Sequence, residues 1–435
     1  MKDNIINGLV GLAIGDALGG TTEFMSPEEI NKKYGKVTEI IGGGYWELEP
    51  GETTDDTAMT IAVAKGILTN PENPIEHIGK EFMEWYRTKP KDIGNIIRQT
   101  FHHYKGDWFE AAKITHFEFG GKSAGNGSLM RCLPIALLYS DQQKMEEITF
   151  LQSKMTHYDP LAAEACVIYN RIAKRLLEGE ELKTAIEVEI KGSIYEPILT
   201  SRPSCPPDGY VVNTMKWVLH WLLTCESYAD VIVSATNMGG DSDTIAAIAG
   251  GLKGIQHFRI PINYRQKLKD IEFLRFLGTM LYFTREKEVR ILTDYDQNLL
   301  TQEIKEKVNK LLDILELYSI ERKSINNNEL LLNGRDLLGM AIKIIGNTLS
   351  EKDSNYEKRD NIFAKLERRF QRFSRLVDLG APALIIRNES YWILTYVDHL
   401  DKLMHGVEPT YTKEELEELE QLAEWEKSFD DMKFE

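Results

Sequence analysis

The chain has 435 residues, with 52 Lys and Arg against 68 Asp and Glu, a formal charge of −16. Apolar residues make up 42% and charged residues 28%, the balance of an ordinary soluble globular protein, and this length buries a core without disulfides or structural metal. The acidic balance argues against a general nucleic-acid binder, which needs clustered Lys and Arg to neutralise phosphate, so nucleic acid is not an expected partner. At roughly 150 residues per domain, two or three domains are expected, or one large domain with an extension.

In chain order, the first element is IINGLVGLAIGDALGG. Its apolar run from Ile5 stops at Asp16, too short to cross a bilayer. No small-residue cleavage pattern follows, only Glu23 and Glu28, so neither a signal peptide nor a membrane partner is expected. Gly11, Gly15 and Gly19 recur every four residues and mark a buried helix that another helix can approach closely. VTEIIGGGYWELEPG is the best strand candidate, and Gly42-Gly43-Gly44 within it reads as a turn rather than a phosphate cradle. The segment from Thr57 to Leu68 is nearly apolar throughout and predicts a helix buried on most sides. Asp159 followed by Pro160 predicts an N-cap and first turn opening LAAEACVIYNRIAKRLLEG. GYVVNTMKWVLHWLLT and DSDTIAAIAGGLKGI are two more buried helices.

The texture changes near residue 285, which divides a domain over 1–285 from a helical C-terminal extension over 286–435. Ile304, Val308, Leu311 and Leu315 form one amphipathic face, followed by the loop NNNE and the turn Asn333-Gly334. A second amphipathic helix carries Ile362, Leu366, Phe370 and Phe373. Residues 358–375 hold seven basic and two acidic residues, ordinarily a solvated helix face, or else a surface for an acidic protein partner. The last 25 residues hold ten acidic and three basic ones and read as a helix that could pack on that basic face. The cysteines Cys132, Cys166, Cys205 and Cys225 stand alone, with no Cys-x-x-Cys pair. A disulfide framework and a zinc site are therefore not expected, and the setting is a reducing, cytoplasmic one.

Two runs echo each other. Thr53-Thr54-Asp55-Asp56-Thr57 and Asp241-Ser242-Asp243-Thr244 each stand directly before a small-residue apolar helix. Either alone is explained by capping, because Asp, Ser and Thr satisfy orphan N–H groups at the positive end of a helix. Two together imply four carboxylates that repel unless cations lie between them. Oxygen-only ligands suit hard ions, so the pair predicts a two-metal site for Mg²⁺ or Mn²⁺.

In the same order, GLAIGDALGGTTEFM, IIGGGYWELEPGETTDDTAMT, KPKDIGNIIRQ, SAGNGSLMRCLPIAL, THYDP, GYVVNTM and NMGGDSDTIAAIAGGLKGI resemble the blocks of the ADP-ribosylglycohydrolases over roughly residues 1 to 285. The set is most similar to the branch that activates dinitrogenase reductase by removing ADP-ribose from an arginine side chain. The resemblance implies an all-α fold, a compact orthogonal helical bundle, here with the helical extension appended. It implies metal ligands at Thr54, Asp55, Asp56, Asp241, Asp243 and Thr244, holding two divalent cations. It implies catalytic roles for Glu23, beside the metals and ribose, and for Asp92, the candidate for proton transfer. Asn95 is the substrate-side neighbour of Asp92. Gly125, Asn126, Gly127 and Ser128 match the loop that meets the diphosphate, and His157 and Tyr210 match positions lining the cleft. THYDP departs from relatives with a second His where this chain has Asp159, which bears on the acceptor side and not on the metals.

The implied activity is metal-dependent hydrolysis of mono-ADP-ribose from modified protein, at the N-glycosidic bond to arginine. The expected partner is thus an ADP-ribosylated protein, met by a monomer. The rivals are another acceptor on the same fold (serine, a nucleic-acid base or a free ADP-ribose derivative) and a non-catalytic ADP-ribose-binding or adaptor protein.

Overall fold

The structure, a computed structural model, describes residues 1–256, 260–289, 356–378 and 383–404, with a few isolated positions between 302 and 342. The chain separates into two compact units, 1–291 and 292–435. The fold is all-helical, and among the described residues extended pairing is limited to isolated bridges, Gly43 with Leu48 and Gly125 with Tyr210. No described helix is long and apolar enough to cross a membrane.

The first unit runs α1 (Lys2–Gly19), α2 (Pro27–Tyr34), α3 (Asp55–Thr69), α4 (Ile75–Arg87), α5 (Asn95–His103), α6 (Trp108–Glu118), α7 (Leu133–Leu138), α8 (Gln142–Lys154) and α9 (Pro160–Leu177). It continues with α10 (Leu182–Ile190), a 3-10 turn (Glu196–Leu199), α11 (Val211–Thr224), α12 (Tyr228–Asn237), α13 (Ser242–Gln256), α14 (Ile262–Lys267) and α15 (Ile271–Val289).

Its axis is the pair α1 and α13, both apolar on every side and buried along nearly their whole length. The glycine stripe explains how closely they pack. A Cβ on Gly15 would lie 2.1 Å from the Ala246 carbonyl oxygen, and one on Gly11 would lie 2.5 Å from that of Gly250. The partner helix answers in kind, since a Cβ on Gly254 would lie 2.2 Å from Asn7 O. Backbone thus meets backbone at a distance only glycine permits. The Tyr228 hydroxyl donates to Gly11 O (2.7 Å) and that of Tyr169 donates to Ile248 O (2.9 Å), so neighbouring helices fasten to both members. This places the first residues of α13 beside the last residues of α1.

The proposed strand around residues 37–51 is a loop. Gly42, Gly43 and Gly44 all have positive φ (67°, 81° and 72°), which bends the chain back on itself and leaves one bridge, Gly43 to Leu48. A Cβ on Gly44 would lie 2.3 Å from Gly20 O, so the glycines also seat this loop on the end of α1. The predicted cap of α9 is present, with Asp159 Oδ1 accepting from Leu161 N–H at 3.0 Å and Pro160 in the first turn.

The second unit contains α16 (Tyr356–Asp378) and α17 (Ala383–Met404), which pack on each other. Leu366 and Phe373 on α16 and Ile393 and Val397 on α17 are fully buried, as the amphipathic pattern of α16 requires. The basic face of α16 is not simply solvated. Arg369 and Arg372 turn inward to the buried Glu389 (3.5 and 3.0 Å), and the Arg369 guanidinium lies 5.7 Å from the Trp392 ring. The predicted face of Ile304, Val308, Leu311 and Leu315, the Asn333-Gly334 turn and the acidic tail lie outside the described residues.

Candidate active site

The N-termini of α3 and α13 open onto a cleft of about 640 Å³. Both acidic runs arrive there because each stands at the start of a buried helix whose N-terminus borders the cleft. They touch directly, since Thr244 Oγ1 donates to Asp56 Oδ2 at 3.2 Å. Thr54 caps α3, accepting from Asp56 N–H at 3.4 Å.

A third carboxylate, absent from the sequence reading, organises the first run. Asp16, completely buried near the end of α1, accepts from Thr54 N–H (3.0 Å) and Thr54 Oγ1 (2.9 Å). It also accepts from Thr57 N–H (3.0 Å) and Thr57 Oγ1 (2.5 Å). Burial holds its pKa up at about 6 in spite of these four donors. Its only trace in the sequence was a charge interrupting an apolar small-residue run.

Glu23 and Asp92 approach the acids from two loops. Glu23 Oε2 accepts from the Trp46 indole at 2.6 Å, a contact made possible by the glycine loop that carries Trp46. Glu23, Asp92 and Asp243 each bring one carboxylate oxygen within 4.8 Å of the others, a spacing that could hold a metal ion. The two residues singled out for proton transfer therefore stand at ligand distance from a predicted metal ligand. Asp55 Oδ2 accepts from Gly94 N–H (3.2 Å), tying the start of α3 to the Asp92 loop.

The electrostatics are those of crowded, buried acids. Burial first, then the neighbouring carboxylates, raise Asp92 to about 10 and Glu23 to about 8. Burial raises Asp55 to about 7, and lifts Asp56 and Asp243 well above the usual carboxylate range. Asp56 Oδ1 and Asp243 Oδ1 are buried without any hydrogen-bond partner. Anionic oxygens in that state are costly, and a hard divalent cation is the chemical group that satisfies them. The donor set is oxygen throughout, so the residues present fit such a cation.

The other side of the cleft is built differently. Gly125 and Gly127 lie against the His157 ring, where added Cβ atoms would stand 3.1 Å from Nε2 and from Cε1 respectively. His157 Nδ1 is 2.8 Å from Thr156 Oγ1, which in turn accepts from Arg131 Nη2 at 2.7 Å. With the Thr156 hydroxyl accepting from Arg131, its own proton is available to Nδ1, the arrangement in which the His157 proton sits on Nε2, toward the glycine loop. Burial, reinforced by Arg131, lowers the His157 pKa to about 3, which keeps the ring neutral. Arg131 is itself fully buried, bonded to Gln152 Oε1 (3.1 Å) and stacked 4.4 Å from the Phe82 ring centre. Nothing in the sequence distinguished Arg131 or Thr156.

Most of the predicted residues border the cleft: Glu23, Asp55, Asp92, Asn95, Gly125, Asn126, Gly127, His157, Asp241, Asp243 and Thr244. Asn126 is committed to the acids, donating to Asp241 Oδ2 (2.5 Å) and to Thr214 Oγ1 (3.0 Å). Thr54 and Asp56 lie buried behind this wall. Ser128 turns the other way, its hydroxyl 2.8 Å from Ser153 Oγ in the core. Tyr210 pairs its backbone with Gly125, and its side chain is largely exposed outside the cleft wall.

Comparison with known proteins bears on the family and the fold. The sequence model of the family described as ADP-ribosylglycohydrolase matches residues 1–290. The chain is 32% identical over 261 residues to the ADP-ribosyl-[dinitrogen reductase] glycohydrolase of Rhodospirillum rubrum, covering 58% of this chain and 85% of the relative. It is 28% identical over 312 residues to the ADP-ribosylarginine hydrolase Tri1 of Serratia proteamaculans, covering 66% of this chain and 81% of the relative. A solved structure titled ADP-ribosylglycohydrolase-related protein complex superposes with a TM-score of 0.57 at 26% identity, over 65% of this chain and 98% of that one. With a helical fold, a cation-fitting acidic cleft and a family match across most of its length, the chain belongs to the ADP-ribosylglycohydrolase family of hydrolases.

Proposed function

We propose that the cleft hydrolyses the N-glycosidic bond between ADP-ribose and an arginine side chain of a modified protein. The observation that carries this reading is the pair of donorless, buried oxygens, Asp243 Oδ1 in the wall of the cleft and Asp56 Oδ1 behind it, in a member of this family. The arginine acceptor is supported by the names of two relatives, one acting on dinitrogen reductase and one on ADP-ribosylarginine.

Thr54, Asp55, Asp56, Asp241, Asp243 and Thr244 would hold two divalent cations, Mg²⁺ or Mn²⁺. When bound, such ions polarise ribose hydroxyls and lower the pKa of a water. Asp16 keeps the α3 run in place from behind. Cleavage builds positive charge at the anomeric carbon, which the surrounding carboxylates stabilise in a site already shaped for charge. Glu23, held in place by the Trp46 indole, would take the proton of the incoming water. Asp92, whose pKa burial and the neighbouring acids raise, would deliver a proton to the departing guanidine. Asn95, the Gly125–Gly127 loop and the His157 Nε2–H bind ADP-ribose.

The test is ADP-ribose release from arginine-modified protein with Mg²⁺, with Mn²⁺ and with chelator. Release that needs the metal is the expected result. Release that persists in chelator would end the metal-dependent reading, and release only from a serine-linked substrate would move the acceptor.

A further inference from the structure

Phe24, next to Glu23, has φ 64°, a left-handed backbone that a bulky side chain rarely adopts. Its ring is 59% exposed, so burial does not offset the strain. Two backbone bonds enforce the conformation, Phe24 N–H to Gly240 O (2.7 Å) and Gly240 N–H to Met25 O (3.0 Å). The ring stands edge-on to Tyr45 at 5.1 Å, and Tyr45 is edge-on to Trp46 at 4.8 Å. Tyr45 is 66% exposed and rides on the loop whose three glycines and Glu47 (φ 53°) are all left-handed. Strained backbone is therefore maintained on both loops to hold two aromatic rings out in solvent. Such outliers point to function when nothing in the packing rewards them.

The position of the rings narrows that function. Phe24 and Trp46 line the cleft. Trp46 holds Glu23, which also comes within 4.8 Å of Asp92 and Asp243. Phe24 and Trp46 thus stand on the cleft beside Glu23, with the Tyr45 ring packed against both. Glu47 adds an exposed carboxylate next to them. Aromatic faces with an acid alongside suit a planar, weakly hydrated cation, which is what a guanidinium is and what a serine hydroxyl is not.

We propose that Phe24 and Tyr45 form the seat of the acceptor side chain, an arginine guanidinium, with Glu47 as its countercharge. The pair then sets selectivity for arginine over uncharged acceptors, and this rests on the arginine reading of the cleft.

The test compares wild type with Tyr45→Ala, Phe24→Leu and Tyr45→Phe on two peptides of one sequence, carrying ADP-ribose on arginine or on serine. Tyr45→Ala and Phe24→Leu should each raise KM for the arginine-linked peptide by roughly threefold to fivefold, with kcat little changed. Tyr45→Phe should keep the wild-type KM, and the affinity for free ADP-ribose should not move. An unchanged KM, equal losses on both peptides, or weakened ADP-ribose binding would overturn the proposal. A second arm needs no turnover: calorimetry of N-acetyl-arginine amide against N-acetyl-serine amide on protein saturated with ADP-ribose. Arginine binding that drops in Tyr45→Ala, without hydrolysis of the arginine-linked peptide, keeps the seat and sinks the activity. Hydrolysis that ignores both rings keeps the activity and sinks the seat.

Discussion

Two buried polar clusters form the walls of one cleft, and they are satisfied in opposite ways. Around Arg131, the polar groups find partners: the guanidinium donates to Gln152 and Thr156, and the Thr156 hydroxyl is bonded to His157 Nδ1. At the start of α3 and α13, acids outnumber donors, and Asp56 Oδ1 and Asp243 Oδ1 have none. A satisfied buried network fixes geometry, whereas an unsatisfied one stores free energy that a ligand can release. The first wall is finished by folding and the second by what binds to it.

The largest break in that contrast comes from Asp243→Ala. Removing a donorless buried acid should reduce ADP-ribose release by roughly 10³-fold or more, as expected where a cation stabilises the transition state. It should not lower the thermal midpoint in chelator, because a buried oxygen without a donor leaves with it. A variant that loses activity and stability together would mean that Asp243 serves the fold. Asp16→Asn is the next largest. It leaves Asp55 and Asp56 in place but loosens the Thr54 and Thr57 bonds that aim them. Affinity for Mn²⁺ by calorimetry should fall by roughly 10- to 100-fold, the usual cost of losing an outer partner of a metal site. Unchanged affinity would assign Asp16 to helix capping alone.

Legibility in the sequence followed the same divide. The all-round apolar helices and the glycine stripe could be read because packing of that kind needs small residues at regular spacing, as Gly11, Gly15, Gly250 and Gly254 show. The two acidic runs could be read because anionic residues cluster there beyond the needs of capping. Asp16 could not, since one acid in an apolar stretch looks like the end of that stretch. Arg131 could not, because its burial comes from residues remote in the chain, Phe82 and Gln152 among them. The 37–51 segment misled because its β-branched residues suggest a strand, while the three left-handed glycines that follow decide the backbone. On α16 the run of basic residues said nothing of Glu389, the acid on α17 that takes two of them inward.

The acid wall should also declare itself through pH. Glu23, Asp55 and Asp92 have folded pKa values near 8, 7 and 10, against about 4 for unfolded carboxyls. Between those limits the folded chain holds more protons than the unfolded one, so stability is lost as pH rises. In chelator the thermal midpoint should fall steadily from pH 5 to pH 9, and saturating Mn²⁺ should flatten the slope by taking the place of the protons. A midpoint that is flat or rising in chelator would contradict the crowding of these acids.

The smallest effect is expected from the finished wall, and it is the most specific. Thr156→Val keeps shape but removes the hydroxyl bonded to His157 Nδ1. Nitrogen NMR of labelled histidine should show the Nε2–H tautomer in the parent protein and a redistribution toward Nδ1–H in the variant. Thr156→Ser should restore the parent signal. Affinity for ADP-ribose should weaken by about tenfold or less in Thr156→Val, the scale of one hydrogen bond. The tautomer separates this wall from mere packing, because a void left by a lost methyl or hydroxyl does not choose which nitrogen carries a proton. If the tautomer holds in Thr156→Val, the Arg131 network supports the His157 ring without orienting its proton, and the contrast between the two walls narrows to one of charge.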